Sequence, residues 1–151
     1  MWRTWSQSCG GNGWKAEMRI MLDTNVLLSA LLFSGERMNR MMRCIFEEHR
    51  LVLSSFVVEE LGYVVRRKFP AKTAAVDQML STMSYELVYT PQIMDQSLFE
   101  IRDPKDYPVL YTAILEDVDV LISGDIDFSE IRVERPEIYT PAEFMRQYGI
   151  V

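Results

Sequence analysis

Histidine occurs once in this chain, at His49. One imidazole cannot furnish a His-based zinc site, and it argues against a Ser–His nucleophile pair. Cysteine is almost as scarce, with Cys9 and Cys44 the whole complement. Two thiols cannot build a disulfide framework, and the expectation is that both are free in a reducing cytoplasm. No apolar run approaches the roughly 20 residues of a membrane span, so no membrane association is expected. The opening stretch MWRTWSQSCGGNGWKAE lacks the continuous apolar segment and small-residue cleavage site of a secretion signal. A basic surplus is missing too. The formal net charge is −6, which disfavours binding nucleic acid through bulk positive charge. It leaves room for an acidic site whose bound cations meet phosphates. Any chemistry here has to come from carboxylates.

What is present suits one domain. The chain has 151 residues, 48% hydrophobic and 25% charged, enough for a single globular unit with its own core. Residues 1–17, with glycines at 10, 11 and 13 and tryptophans at 2, 5 and 14, read as a flexible leader. Met18 reads as the effective start of one domain over 18–151. No internal repeat, low-complexity tract or interdomain linker interrupts it.

Strand-like and helix-like segments alternate along the domain. Arg19 to Leu22 is a short buried strand, and Asp23-Thr-Asn25 its exit into an apolar helix over Val26 to Phe33. Glu36 to Glu48 has helical periodicity, and Leu51 to Leu53 is a second strand. Ser54 or Ser55 caps a helix to about Phe69, and Pro70 sits in the first turn of another to about Met83. Tyr85 to Tyr89 is a third strand. Asp103-Pro104 opens a helix to about Glu116, with the aspartate as N-cap. Val118 to Ile122 is a strand, Ile138-Tyr139 a last short one, and Thr140-Pro141 starts a helix through Tyr148. This order predicts a three-layer α/β/α protein, a mostly parallel sheet of four to five strands flanked by helices.

Several carboxylates fall where apolar residues belong. Glu60 lies on the edge of the stripe made by Val57, Leu61, Val64 and Val65, whereas Glu59 falls on the solvated side. Asp106 sits at the centre of the stripe continued by Val109, Leu110, Ala113 and Ile114, in a first turn where the helix dipole favours an anion. A capping box with Asp103 is the other reading of Asp106. Asp103 itself is an N-cap and at most supports a ligand from behind. Asp23 and Asp125 each follow a buried strand, and in parallel α/β sheets the carboxyl ends of the strands form the functional edge. Singly, each could be a turn or cap residue, and Asp127 is a further ligand or a turn residue. Together, Asp23, Glu60, Asp106 and Asp125 predict a pocket of clustered acids, which repel one another unless a hard cation fills it. Oxygen ligands favour Mg²⁺ or Mn²⁺ over zinc. Such ions activate water and stabilise both oxygens of an in-line phosphoryl displacement.

These segments resemble the PIN-domain family. Met-Leu-Asp23-Thr-Asn25-Val resembles its first acidic motif, and Ser54-Ser-Phe-Val-Val-Glu59-Glu60-Leu its second. Arg102-Asp103-Pro-Lys-Asp106-Tyr-Pro-Val-Leu-Tyr-Thr-Ala113 resembles its third, and Leu121-Ile-Ser123-Gly-Asp125-Ile-Asp127-Phe its fourth. The match runs from Met18 to about Tyr148. Within the family it is most similar to toxins of prokaryotic toxin–antitoxin pairs of the virulence-associated protein C type. The resemblance implies a metal-dependent endoribonuclease, a cognate antitoxin that blocks the site, and a homodimer. By position it makes Asp23, Glu60, Asp106 and Asp125 the metal ligands, with Asp127 assisting. Thr24, Asn25 and Ser123 would then orient ligands or the attacking water. Gln92 to Glu100 has no counterpart in it.

Arg37, Arg40 and Arg43 recur along one helix side, and Arg66-Arg67-Lys68 forms a second basic group. Each is either a contact to RNA phosphates or an acidic antitoxin segment, or a solvated helix face. Two other functions remain open at this level. One is a catalytically weak interaction protein of the same fold. The other is a phospho-acceptor receiver-type domain, which the absence of any lysine after Asp125 disfavours.

Overall fold

Ile20, Met21 and Leu22 are all fully buried. Successive strand residues face opposite sides of a sheet, so that strand must be covered on both faces. The computed structural model describes residues 5–7, 14–124, 131 and 133–150, and Asp125 and Asp127 lie outside them. Within the stretch read as a leader, β1 (Trp5–Gln7) pairs antiparallel with β2 (Trp14–Ala16). The domain then runs β3 (Arg19–Leu22), α1 (Thr24–Leu32), α2 (Glu36–Glu48), β4 (Arg50–Ser54) and α3 (Ser55–Lys68). It continues with α4 (Thr73–Thr82), β5 (Glu86–Val88), α5 (Tyr107–Leu115), β6 (Val120–Ile122), β7 (Glu137–Tyr139) and α6 (Pro141–Gln147). Strands β3 to β7 form one sheet in the order β5-β4-β3-β6-β7. Every neighbouring pair is parallel. The predicted α/β architecture is the one observed.

Sequence and structure agree on why most helices start where they do. Ser54 Oγ accepts from the Val57 amide at 3.2 Å, capping α3. Thr140 and Glu143 form a reciprocal capping box on α6, with bonds of 3.0 and 3.1 Å. The helix expected to begin at Pro104 departs from prediction. It starts as a 3-10 turn, Pro104–Asp106, before α5 takes over at Tyr107. Pro108 is the cause. Its missing N–H cannot bond the carbonyl of Pro104, and its ring would collide with that carbonyl in an uninterrupted α-helix.

A second correction concerns sulfur. Cys44, buried on α2, is disulfide-bonded, not a free thiol. The one other cysteine, Cys9, lies outside the described residues.

The sheet is tied at its starting edge by charge. Arg19 reaches from β3 past β4 to β5, where its Nη2 and Nε meet the Glu86 carboxylate at 2.8 and 3.2 Å. Its backbone amide donates to Asp119 Oδ2 at 2.8 Å, and Arg135 Nη2 meets Asp119 Oδ1 at 2.7 Å. The Arg19 side chain is only 17% exposed, so this bidentate pair is partly shielded from solvent screening. Arg19→Ala should lose about 2 kcal/mol of stability by urea unfolding, the scale of hydrogen bonds to charged groups. A loss below about 0.5 kcal/mol would place the pair with ordinary surface salt bridges.

Candidate active site

The parallel register brings distant residues level. Met21 pairs with Val52, Leu22 with Ile122, and Ser54 with Val88. Continued by one or two residues, these registers put Asp23, Ser54, Val88 and Ser123 in one row at the carboxyl edge of the sheet.

Asp23 is the centre of that row. As the N-cap of α1 it accepts the Val26 amide on Oδ1 at 2.9 Å, while its own amide donates to the Ile122 carbonyl at 3.1 Å. Its other oxygen, Oδ2, accepts the Ser123 hydroxyl. The residue is 6% exposed. The cap reading of Asp23 is therefore correct. A carboxylate offers roughly four acceptor positions, so capping does not exclude ligation.

The next residue recruits the second acid. Thr24 is buried, and its hydroxyl donates to Glu60 Oε1 across 36 positions of sequence. Glu60 is half-buried on α3 and Glu59 exposed, as the stripe of Val57, Leu61 and Val65 requires. Asn25 is exposed on the first turn of α1.

Asp106 comes to the same edge from the other direction, because α5 precedes β6 and starts where the strands end. Asp103 caps the 3-10 turn through Oδ1, which accepts the Lys105 amide at 3.0 Å. Asp106 makes no side-chain capping bond to α5, and its Oδ2 is closed off from solvent. Ser123 is 2% exposed and is held by its amide on the Tyr139 carbonyl at 2.8 Å. Asp125 and Asp127, the remaining acids expected here, lie outside the described residues.

The described acids share an edge without closing on a common point. Among the described residues, the side chains whose potential ligand atoms all lie within 4.8 Å of one another are Cys44, Glu48 and His49. That group is at the opposite edge of the sheet, beside Arg50 and Met18. It is poorly suited to a cation, since Cys44 is disulfide-bonded and His49 Nδ1 already accepts the Met18 amide at 3.1 Å.

The basic groups lie on exposed helix faces. Arg37, Arg40 and Arg43 are exposed on α2, and Arg40 pairs with Glu36 one turn back. Arg66 and Arg67 are also exposed, about 9 Å along α3 from Glu60 at 1.5 Å per residue. Arg67 Nη1 donates to the Tyr63 hydroxyl at 3.1 Å, with its guanidinium 6.0 Å from that ring.

A family model for the PIN domain matches residues 19–127. The chain belongs to the PIN-domain family. The matched span contains Asp23, Glu60, Asp106 and Asp125, the acid of each of the four motifs. Membership also sets aside the receiver-type alternative. Among solved structures, the chain is similar to a chain in the crystal structure of VapBC2 from Rickettsia felis bound to a DNA fragment from their promoter. The TM-score is 0.63 at 19% identity, covering 81% of this chain and 97% of that one. At that identity the likeness is one of fold. No curated protein matches.

The segment Gln92 to Glu100, which has no counterpart in the sequence resemblance, is packed onto this PIN domain by aromatic residues. Phe99 stacks on Tyr107 with centroids 4.2 Å apart, and Tyr107 on Tyr111 at 5.7 Å. The Tyr107 hydroxyl donates to the Asp95 carbonyl, and the Asp95 amide donates to the Tyr111 hydroxyl at 3.1 Å. The i, i+4 spacing of Tyr107 and Tyr111 was the available signal, since it places both rings on one helix face.

Proposed function

We propose that this PIN domain is a metal-dependent endoribonuclease, the toxin of a toxin–antitoxin pair, acting in the cytoplasm as a homodimer that a cognate antitoxin blocks. The pair of contacts Asp23–Ser123 and Thr24–Glu60 carries the reading, because it draws acids remote in sequence to one edge of a PIN sheet. The similarity to a VapBC2 chain supports the toxin assignment and the protein partner.

The donor set fits a hard divalent cation. It consists of carboxylate oxygens, one of them on a residue as buried as Asp23 and another the enclosed Oδ2 of Asp106. Desolvated carboxylates are stabilised by a cation, and oxygen ligation selects Mg²⁺ or Mn²⁺. Asp23, Glu60, Asp106 and Asp125 would hold it, with Asp127 assisting. When bound, such an ion supplies Lewis-acid charge stabilisation for in-line cleavage of a phosphodiester. The rest of the work belongs to the chain. Ser123 and the Val26 amide fix the orientation of the Asp23 carboxylate, and Thr24 fixes that of Glu60. Asn25 would orient a ligand or the attacking water, and Asp103 would at most support a ligand. Arg37, Arg40, Arg43, Arg66 and Arg67 contact flanking RNA phosphates.

The test uses the purified chain, an unstructured RNA and Mn²⁺. Metal-dependent cleavage is expected, together with a rise in melting temperature on adding the ion, since a ligand of the folded state alone stabilises it. Asp106→Asn should shrink that rise by at least half. An unchanged rise would remove Asp106 from the ligand set, and no cleavage of any RNA by the wild type would overturn the function.

A further inference from the structure

Tyr89 follows the last residue of β5 and is 74% exposed. It is one position beyond Val88, which pairs with Ser54, so its backbone stands just above the row that holds Asp23. With the order β5-β4-β3, two strand spacings separate them, about 10 Å at 4.8 Å per strand. The position is not a loose tip. The amide of the following Thr90 donates to Ser55 Oγ at 2.9 Å, and its hydroxyl oxygen accepts the Thr112 hydroxyl at 2.9 Å. The chain beyond is held by the Tyr107 and Tyr111 contacts already described. A solvent-facing aromatic ring carried on an anchored stretch of backbone at the functional edge is an arrangement suited to stacking an unpaired nucleobase.

The geometry points to Tyr89 as a base-stacking platform that selects single-stranded RNA. This rests on the ribonuclease reading and deepens it by naming a residue outside the acidic row that grips the substrate. Standing two strands from Asp23, Tyr89 acts on binding and leaves the chemical step alone. A nucleotide flanking the scissile phosphate is within reach across the two strand spacings. A base paired in a duplex has its faces covered by its neighbours and cannot use the ring.

The experiment compares wild type, Tyr89→Ala and Tyr89→Phe in Mn²⁺, on an unstructured RNA and on the same sequence locked in a duplex. Tyr89→Ala should raise KM on the unstructured RNA about tenfold, within the range measured for base–aromatic stacking, and leave kcat within about twofold. Tyr89→Phe keeps the ring and should match wild type. The preference of wild type for unpaired RNA should shrink in Tyr89→Ala. If wild type cleaves and Tyr89→Ala is unchanged, the platform is overturned and the ribonuclease stands; a protein-binding role for Tyr89 would give this same result. A Tyr89→Phe as impaired as Tyr89→Ala would equally overturn stacking, by assigning the effect to the hydroxyl. Wild type without activity on either RNA takes down both.

Discussion

Asp23→Asn should reduce RNA cleavage by about a thousandfold or more while leaving the protein folded. Withdrawing one anionic ligand removes several kcal/mol of charge stabilisation from the transition state, and about 4 kcal/mol corresponds to three decades in rate. Folding is affected little because asparagine is as good an N-cap as aspartate. Its Oδ1 can still accept the Val26 amide, and the Ser123 hydroxyl can rotate to accept where it now donates. Loss of the anion at the α1 N-terminus forfeits some of the dipole interaction, about 0.3–1 kcal/mol, but also removes a charge that is expensive to bury. The net stability change should stay within about 1 kcal/mol. Asp23→Ala differs, because it loses the cap as well and should cost about 1 kcal/mol more. Cleavage rates measured beside urea unfolding of both variants separate the two roles of one side chain. Full activity in Asp23→Asn would dismiss it as a ligand and leave it a cap.

Phe144→Ala should be the most damaging single truncation, destabilising the domain by about 3–5 kcal/mol. Phe144 is fully buried, the largest side chain in that condition among the described residues. Its ring lies 4.8 Å from that of Tyr148 and 6.4 Å from that of Tyr139. Both flanking rings are rigid and poorly able to refill the volume. The consequence extends to the acidic row. Phe144 seats α6 against β7, and the β7 carbonyl of Tyr139 holds the Ser123 amide. Cleavage should therefore fall before global unfolding as urea is raised in this variant. Parallel loss of activity and structure would show that β7 and the row unfold as one unit.

Local structure was largely legible in the residues. The exit of the first strand into an aspartate-capped helix, the serine cap of α3 and the Thr140–Glu143 box all depend on residues a few positions apart. Glu60 was recognisable as an acid on an apolar edge, because helical periodicity is a local property. The start of α5 differs from expectation although its cause is also local, since Pro108 acts on a carbonyl four residues earlier.

The amino-acid order alone thus determined the elements, their caps and the presence of acids at strand ends and helix starts. Tertiary structure decided which of them meet. Ser123 reaches Asp23 over 100 positions and Thr24 reaches Glu60 over 36, because β6 and β4 flank β3 in the sheet. Strand order is set by the packing of whole helices across two faces, and periodicity carries no trace of it. The seating of Asp95 on two tyrosine hydroxyls is decided in the same way. It needs the segment around Asp95 and the face of α5 to be in place before the bonds have any reason to form.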